Sequence, residues 1–312
     1  MIAGLVGLVL RALVVLAGTA VVTFALLWNA PGDPAQAIAM ARFDALLTED
    51  VIEKVRAEAG LDANFWAAFK SWLAPLITLD FGNSAVTGRE VWPDLLTAIG
   101  YTFPLAIAGL AIGLAVSLPL AILATKRPGG FLDRFAVAVA SLGTAIPAYW
   151  LGLLLILLFA VQLAWLPAMG ARTPSHAILP ALTLGLGVAS SLTRIIRSGI
   201  LEARGQPFLD AIERRGVAPK AIERDHIAPH AAIPVVTVLG LELAFLLEGL
   251  VMVEVIFGRP GLGTFLVSAI VARDFPQVQA VVILTALVFV TINLMIDLIY
   301  QMIDPRIGAR DA

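Results

Sequence analysis

The sequence of 312 residues contains no cysteine and few charged side chains. Without cysteine the chain can form no disulfide bond, no thiolate metal site and no thiol nucleophile. Charged residues make up 14% of the chain and hydrophobic residues 60%, whereas in soluble globular proteins about a quarter are charged and about half are apolar. The composition therefore predicts a polytopic membrane protein. With a net charge of −2, the chain also lacks the basic surface that nucleic-acid binding requires, so we expect no nucleic-acid partner.

Lysine and histidine are also scarce, and their positions exclude several kinds of site. A P-loop needs a lysine directly after a glycine, but the four lysines follow glutamate, phenylalanine, threonine and proline. His226 and His230 have helical spacing but no cysteine or third histidine nearby, which disfavours a metal site. No Ser/His/Asp set or nucleophile elbow is visible, which disfavours a membrane-embedded enzyme. We expect no catalytic residue, cofactor or metal on this chain, and any ATP and Mg²⁺ on a partner.

Six apolar stretches are long enough to cross a membrane, because a spanning helix needs about 20 residues with a rise of about 1.5 Å each. They predict an all-α polytopic fold with six transmembrane helices. The fourth stretch is the shortest and is rich in glycine. The six stretches cover residues 12–29, 99–125, 135–163, 177–193, 231–257 and 278–303.

The first apolar stretch could instead be a signal peptide. A secretory signal carries positive charge before its apolar core, and the first ten residues carry none. We therefore expect a retained helix, with Met1–Leu10 at the interface and Arg11 at the cytoplasmic edge of the membrane.

Lysine and arginine are distributed unequally between the short loops. Loop 125–134 has three, residues 194–224 have seven and the C-terminal tail has two, whereas the short loops on the opposite side have three. Basic residues are retained on the cytoplasmic side of a membrane. The count predicts that both termini and the polar region between the fourth and fifth helices are cytoplasmic.

These boundaries divide the chain into four regions. Residues 1–29 form an N-terminal interfacial segment and the first helix, 30–98 a long extracytoplasmic loop, 99–304 the core with five helices, and 305–312 a cytoplasmic tail.

The long outer loop is predicted to contain two helices. Thr48 can cap a helix that Gly60 ends. A second, amphipathic helix is indicated by the spacing of Phe65, Trp66, Phe69, Trp72 and Leu73. The loop is interpreted either as a lid on the outer mouth or as a docking platform for a soluble partner.

A short helix is predicted inside the cytoplasmic region 202–230. Pro207 suits a helix start, Asp210 lies in its early turns, and Arg214 and Arg215 lie in its last turn before Gly216 ends it. A second helix can begin at Pro219. The pair is interpreted as an elbow that protrudes from the membrane domain toward a partner.

Three glutamates lie in or near the fifth apolar stretch, where ionisable groups are costly. Glu242, Glu248 and Glu254 recur every six residues, so each is rotated by about 240° from the last and they form no single stripe. One possible function for a membrane protein with such acids is proton-coupled secondary transport. A transporter of that kind should have an aligned row of acids or a twelve-helix repeat, and neither is present in the sequence.

The cytoplasmic region 202–230 resembles the signature of the membrane subunits of binding-protein-dependent ABC importers. That signature begins Glu-Ala-Ala, has a glycine after three further residues and closes with Ile-x-Leu-Pro after nine more. Asp210, Ala211 and Ile212 occupy the first three places, and Gly216 the glycine. The closing places are held by His226, Ile227, Ala228 and Pro229.

Further blocks along the whole chain are similar to the dipeptide, oligopeptide and nickel branch of these permeases. Each is short, but together and in this order they are specific. They include residues 30–35 (APGDPA), 80–84 (DFGNS), 146–152 (IPAYWLG), 260–263 (PGLG), 273–276 (RDFP) and 304–307 (DPRI).

The resemblance implies a type I ABC importer permease fold in the bacterial inner membrane. Its expected partners are a homologous second permease, two cytoplasmic ATPase subunits that bind ATP and Mg²⁺, and an extracytoplasmic solute-binding protein. Phe208–Arg215 would be the coupling helix, with Phe208 and Ile212 as an apolar edge for the ATPase. The residues expected in coupling are Phe208, Asp210, Ala211, Ile212, Glu213, Arg214, Arg215, Gly216, His226 and Pro229.

The expected function is import of short peptides or of a nickel or metal-chelate complex by alternating access. The sequence does not decide between these two cargoes. The candidates for the translocation path are Tyr149, Trp150, Glu242, Glu248 and Glu254.

Overall fold

The computed structural model describes residues 2–43, 48–58, 63–76 and 78–303, and these residues are largely helical. Apart from one isolated bridge between Asn83 and Glu90, the described ranges contain no β-structure. The all-α prediction is confirmed. The α-helices are α1 (Ile2–Trp28), α2 (Pro34–Phe43), α3 (Glu49–Glu58), α4 (Phe65–Leu76), α5 (Val91–Thr125), α6 (Phe131–Ala145), α7 (Ala148–Leu155), α8 (Ile178–Arg204), α9 (Phe208–Arg214), α10 (Pro219–Ile222), α11 (Ala228–Ile256), α12 (Leu262–Val271) and α13 (Phe275–Ile303).

Five stretches of helix are long and apolar enough to cross a membrane, and a bent pair makes up the sixth. Four lie in α1, α5, α8 and α13, and one runs from Pro219 in α10 to Leu243 in α11; α6 and α7 form the bent pair. The prediction of six spans is thereby confirmed. The predicted tail 305–312 lies outside the described residues.

The third span, predicted over residues 135–163, begins at Phe131 and is a bent pair of helices. α6 and α7, which continues as a π-helical segment to Gln162, meet at an angle of 101°. The break falls at Pro147, which donates no backbone hydrogen bond and disfavours a helical conformation in the residue before it. Ile146 is accordingly extended, with φ −87° and ψ 121°.

The fourth span is longer than its short predicted range and lies at the centre of the bundle. In the apolar part of this span 61% of the residues are buried within the protein, compared with 17% for α1 and 6% for α13. Its glycines explain this position, because small residues let membrane helices approach closely. A Cβ on Gly185 would meet the side chain of Ile112 and the carbonyl of Gly109 on α5.

The described parts of the long loop between α1 and α5 contain three helices, of which α3 and α4 match the predicted ones and α2 was not predicted. Gly60, the predicted end of the first, lies outside the described residues. The second span also starts earlier than predicted, because α5 begins at Val91 rather than near residue 99. α1 runs without interruption from Ile2, so residues 2–10 are helical and continuous with the first span.

The outer loop is fastened to the core through Asp274, which is 1% exposed. Its carboxylate accepts hydrogen bonds from the Ser84 hydroxyl and from the Ala85 amide, the latter at 3.1 Å. Arg42 of α2 in turn donates to the Ala85 carbonyl. The connection between α12 and α13 thus binds the turn that contains Ser84 and Ala85, and this turn in turn binds α2 through Arg42.

Candidate functional site

The short helix α9 has the start and end that its sequence predicts. Pro207 precedes it with φ −60°, and its last turn closes when the Gly216 amide donates to the Glu213 carbonyl at 2.9 Å. Gly216 has a φ of +80°. Glycine adopts this left-handed conformation without the steric cost that a Cβ imposes. Gly216 therefore sets the direction in which the chain leaves α9.

One side of α9 is seated in the bundle. Leu209 is 5% exposed and belongs to the main core cluster, which extends along α5, α8 and α11, and the half-buried Ile212 packs against the same cluster. The ring centroid of Phe208 lies 5.2 Å from that of His230 on α11. Of the two side chains expected to form an apolar edge for a partner, only Phe208 is therefore exposed, at 37%.

The opposite side of α9 carries the remaining candidate coupling residues. It presents two carboxylates and two guanidinium groups around one small alanine. Asp210, Ala211, Glu213, Arg214 and Arg215 are all exposed. This side offers a partner charges of both signs.

The second half of the signature lies where the chain re-enters the bundle. His226 is half-buried in a π-helical turn, Glu223–Ile227, and Pro229 is the second residue of α11. Proline suits this position, since the first amides of a helix have no partner within it. The structure thus places the two halves of the signature on neighbouring segments that meet at the Phe208–His230 contact.

Two arginine networks brace this region, and the motif did not reveal them. Arg204, at the end of α8, donates to Glu223 at 2.6 Å and to the carbonyl of Thr125, at the end of α5, also at 2.6 Å. Arg197 of α8 makes two hydrogen bonds to Asp133 of α6, one of them at 2.8 Å. In the sequence these residues are visible only as opposite charges near the ends of apolar stretches. That pattern does not show which acid pairs with which arginine.

Asp133 is itself a junction of three segments. Besides the bonds from Arg197, it accepts a hydrogen bond of 2.7 Å from the Gly129 amide in the loop between α5 and α6. Only 3% of the residue is exposed. A buried carboxylate is costly unless it is paired and hydrogen-bonded, so this network fixes α6 to α8.

A cavity of about 600 Å³ adjoins the Arg204–Glu223 pair. Its walls are mostly apolar, and its charged residues include Arg204 and Glu223. The apolar lining comes from three spanning helices and includes Leu118, Ile122, Ile196, Ile200 and Val235.

Glu254, a candidate for the translocation path, is fully buried. Its carboxylate accepts the Thr102 hydroxyl at 2.6 Å and the Gly263 amide at 2.7 Å. Thr102 in turn accepts the Leu262 amide at 2.8 Å. In this conformation Glu254 joins α5, α11 and the start of α12 rather than facing an open path.

Arg259 extends this polar cluster toward the opposite surface from α9. It is 6% exposed, donates to the His176 carbonyl at 3.3 Å and lies 6.0 Å from the ring centroid of Tyr101. Burial lowers the pKa of its guanidinium, and the Glu254 carboxylate opposes that effect. The sequence did not suggest that Arg259 and Glu254 belong to one cluster.

The other path candidates are spread over two helices. Tyr149 and Trp150, on α7, are 48% and 47% exposed, and Glu242, on α11, is half-buried. The side chain of Glu248 lies outside the described residues. Neither the two aromatic residues nor Glu242 lines the 600 Å³ cavity beside Arg204. Tyr149, Trp150 and Glu242 are therefore not part of the cavity beside Arg204.

Residues 117–309 match the sequence profile of the binding-protein-dependent transport system inner membrane component. Residues 1–106 match the profile of the N-terminal part of such membrane components. The chain belongs to this family. It is a permease subunit of an ABC importer of the peptide family, a multi-pass inner-membrane protein that works with ATPase and solute-binding partners.

Relatives of this permease match it over nearly its whole length. A protein of Pectobacterium atrosepticum named glutathione transport system permease protein GsiC is 36% identical over 303 residues, which is 97% of this chain and 96% of that protein. A Sinorhizobium fredii protein named "Probable peptide ABC transporter permease protein y4tP" is 33% identical over 301 residues, 94% of this chain and 95% of that protein.

Solved structures share the fold of this permease. A structure of the MetNI methionine ABC transporter aligns with a TM-score of 0.57 at 20% identity, covering 67% of this chain and 96% of that one. An amino acid ABC transporter solved with histidines aligns with a TM-score of 0.55 at 19% identity, covering 68% and 94%. The predicted type I importer fold is confirmed.

Proposed function

We propose that this permease imports short peptides, including small thiol peptides of the glutathione kind, and that α9 is its joint with the ATPase. The names of the two relatives support a peptide cargo over a nickel or metal-chelate cargo. Family membership also favours ATP-driven import over the proton-coupled alternative.

The observation that supports the coupling role is that α9 packs against the bundle on one side and is exposed on the other. Its inner side chains Leu209 and Ile212 lie in or against the bundle core, while Asp210, Ala211 and Glu213 are exposed. A helix held in this way moves with the bundle when a partner pushes on its exposed side. Arg204 and Glu223 stiffen the segment that connects it to α11.

The proposed orientation places α9 and both termini in the cytoplasm. The excess of lysine and arginine in residues 125–134 and 194–224 supports it. Because the chain has no P-loop lysine, ATP and Mg²⁺ are assigned to the ATPase subunits, and this permease is given no catalytic step.

On the other surface, the outer loop is assigned as the docking platform rather than as a lid alone. α2 exposes Met40 and Phe43, at 55% and 53%. Asp274 and Arg42 hold that helix on the core. A platform fixed in this way can transmit docking of the binding protein to α12 and α13.

A homologous second permease is assigned as the other half of the pore, in a heterodimer. In the apolar part of α13 only 6% of the residues are buried within this chain. This helix therefore has a free apolar surface for a second permease or for lipid. Alternating access then follows if the bundle opens to each side in turn.

Cargo is tested with the complete transporter in proteoliposomes, with its binding protein outside and ATP inside. We expect ATP-dependent uptake of a labelled dipeptide or of glutathione, and competition by unlabelled short peptides. Uptake of ⁶³Ni²⁺ that short peptides leave unchanged would contradict the peptide assignment.

Coupling is tested by comparing Gly216→Ala with Gly205→Ala. An alanine at position 216 has to adopt a φ of +80°, which costs about 1 kcal/mol, whereas Gly205 has an ordinary φ of −79°. We expect G216A to reduce peptide-stimulated ATP hydrolysis and uptake, and G205A to preserve both. Equal activity of the two variants would remove the role given to this turn.

A further inference from the structure

The outer helix α4 packs against the outer end of the spanning helix α1 through a cluster of aromatic rings. The Phe24 ring centroid lies 5.3 Å from those of Phe65 and Phe69 and 5.4 Å from that of Trp72. Trp28 lies 5.7 Å from Phe65. Two turns of α4 are thus fixed to the last turn of α1.

This cluster sets the depth of α4 relative to the membrane. Phe24 lies within the apolar span Leu10–Trp28, about 6 Å inside its outer end at about 1.5 Å per residue. Side chains that touch Phe24 must therefore lie near the level where the hydrocarbon meets the headgroups. α4 cannot stand far above the membrane while it keeps these contacts.

A separate stripe of α4 faces away from α1. Trp66 is 67% exposed and Leu73 is 37% exposed, and the exposed Lys70 lies between them at helical spacing. Tryptophan is enriched at membrane interfaces, and lysine can bury its stem while its ammonium reaches the headgroups. The stripe has the composition of an interfacial helix face.

The stripe is also continuous with a lipid-facing surface. On α1 the side chains of Val21 and Trp28, which lie within about 60° of Phe24 around the helix, are 46% and 37% exposed, and 17% of the residues in its apolar part are buried within the chain. α4 covers Phe24 but leaves both of these flanking side chains partly exposed. The apolar surface of α1 therefore passes directly into that of α4.

We propose that α4 is a membrane-interface anchor that inserts Trp66 and Leu73 into the outer leaflet of the phospholipid bilayer, with Lys70 directed to lipid phosphates. The anchor holds the platform formed by α2 and α3 at the membrane surface. The assignment to the outer leaflet rests on the proposed orientation, whereas the contact with lipid does not.

The test uses the absence of native cysteine. Trp66→Cys and Leu73→Cys are each labelled with bimane, assembled into the complete transporter and reconstituted in phosphatidylethanolamine–phosphatidylglycerol vesicles. The control is Glu53→Cys on α3, where the native side chain is 76% exposed. Quenching is measured with aqueous iodide and with lipids that carry a doxyl group near the glycerol or in mid-chain.

For an interfacial helix we expect the labels at 66 and 73 to be quenched about two-fold by the glycerol-proximal doxyl lipid, less by the mid-chain lipid and weakly by iodide. The label at 53 should respond to iodide alone. If one of the two variants fails to assemble, the other decides the outcome.

Two results would overturn the lipid contact. Iodide quenching as strong at 66 and 73 as at 53 would place the stripe in water. Protection from both iodide and doxyl lipids would show that a protein covers it. A doxyl quencher confined to the inner leaflet that alone quenches these labels would overturn the orientation instead, and uptake assays with peptide remain independent of all three results.

Discussion

Phe208 on α9 and His230 on α11 pack ring against ring, with centroids 5.2 Å apart. This contact joins the exposed helix assigned to the ATPase directly to the first turn of a spanning helix. Movement of α9 therefore has a short route into the bundle that does not depend on the loop between the two helices.

Replacing Phe208 with alanine tests this route. Aromatic pairs contribute about 0.5–1.5 kcal/mol beyond their buried area, so we expect F208A to insert normally but to lose several-fold in peptide-stimulated ATP hydrolysis and uptake. The matched control is Phe131→Ala, which removes an 81% exposed ring stacked on Phe135 of α6. Equal losses in both variants would show that the effect is not specific to coupling.

The Asp133–Arg197 pair is expected to support stability. Asp133→Asn removes a charged acceptor from a buried site and leaves Arg197 without its partner, and hydrogen bonds to charged groups contribute about 1.5–3 kcal/mol. We expect a clearly lower Tm of the purified permease in detergent. Asp225→Asn, in the exposed pair with Arg224, serves as the control and should leave the Tm unchanged; an unchanged Tm for D133N would refute the structural role.

The Glu254 cluster predicts a strong response at Gly263. A Cβ there would collide with the backbone of Val251 and approach the Glu254 carboxylate, and overpacking of this kind costs about 1–3 kcal/mol. Gly263→Ala should lower the Tm, whereas Gly187→Ala on α8, with no atom within 4 Å of the added Cβ, should not. Equal Tm values would mean that α11 and α12 are not locked together as the structure shows.

Much of the fold could be predicted because apolar length and helix punctuation are local properties of the chain. The six spans, the helix between Pro207 and Gly216 and the two predicted helices of the outer loop all depend on residues close in sequence. The bend at Pro147 could have been predicted too, since proline and the residue before it both disfavour a continuous helix.

The long-range contacts could not be predicted in the same way. Asp133 and Arg197 are 64 residues apart, and Thr102 and Glu254 are 152 apart. Nothing in the local pattern pairs them, because their proximity follows from how the helices pack. The same holds for Ile212, whose spacing from Phe208 suggested an exposed edge but whose burial depends on where α9 meets the core.

Site-specific crosslinking shows whether the exposed side of α9, which carries Ala211, contacts the ATPase. A photo-reactive amino acid is placed at Ala211, which is exposed on that side of α9, and in a control variant at Glu53, which is exposed on the outer helix α3. In the assembled transporter we predict a crosslink from position 211 to an ATPase subunit and none from position 53. An intact complex in which position 211 gives no ATPase crosslink would show that this side of α9 is not the ATPase contact.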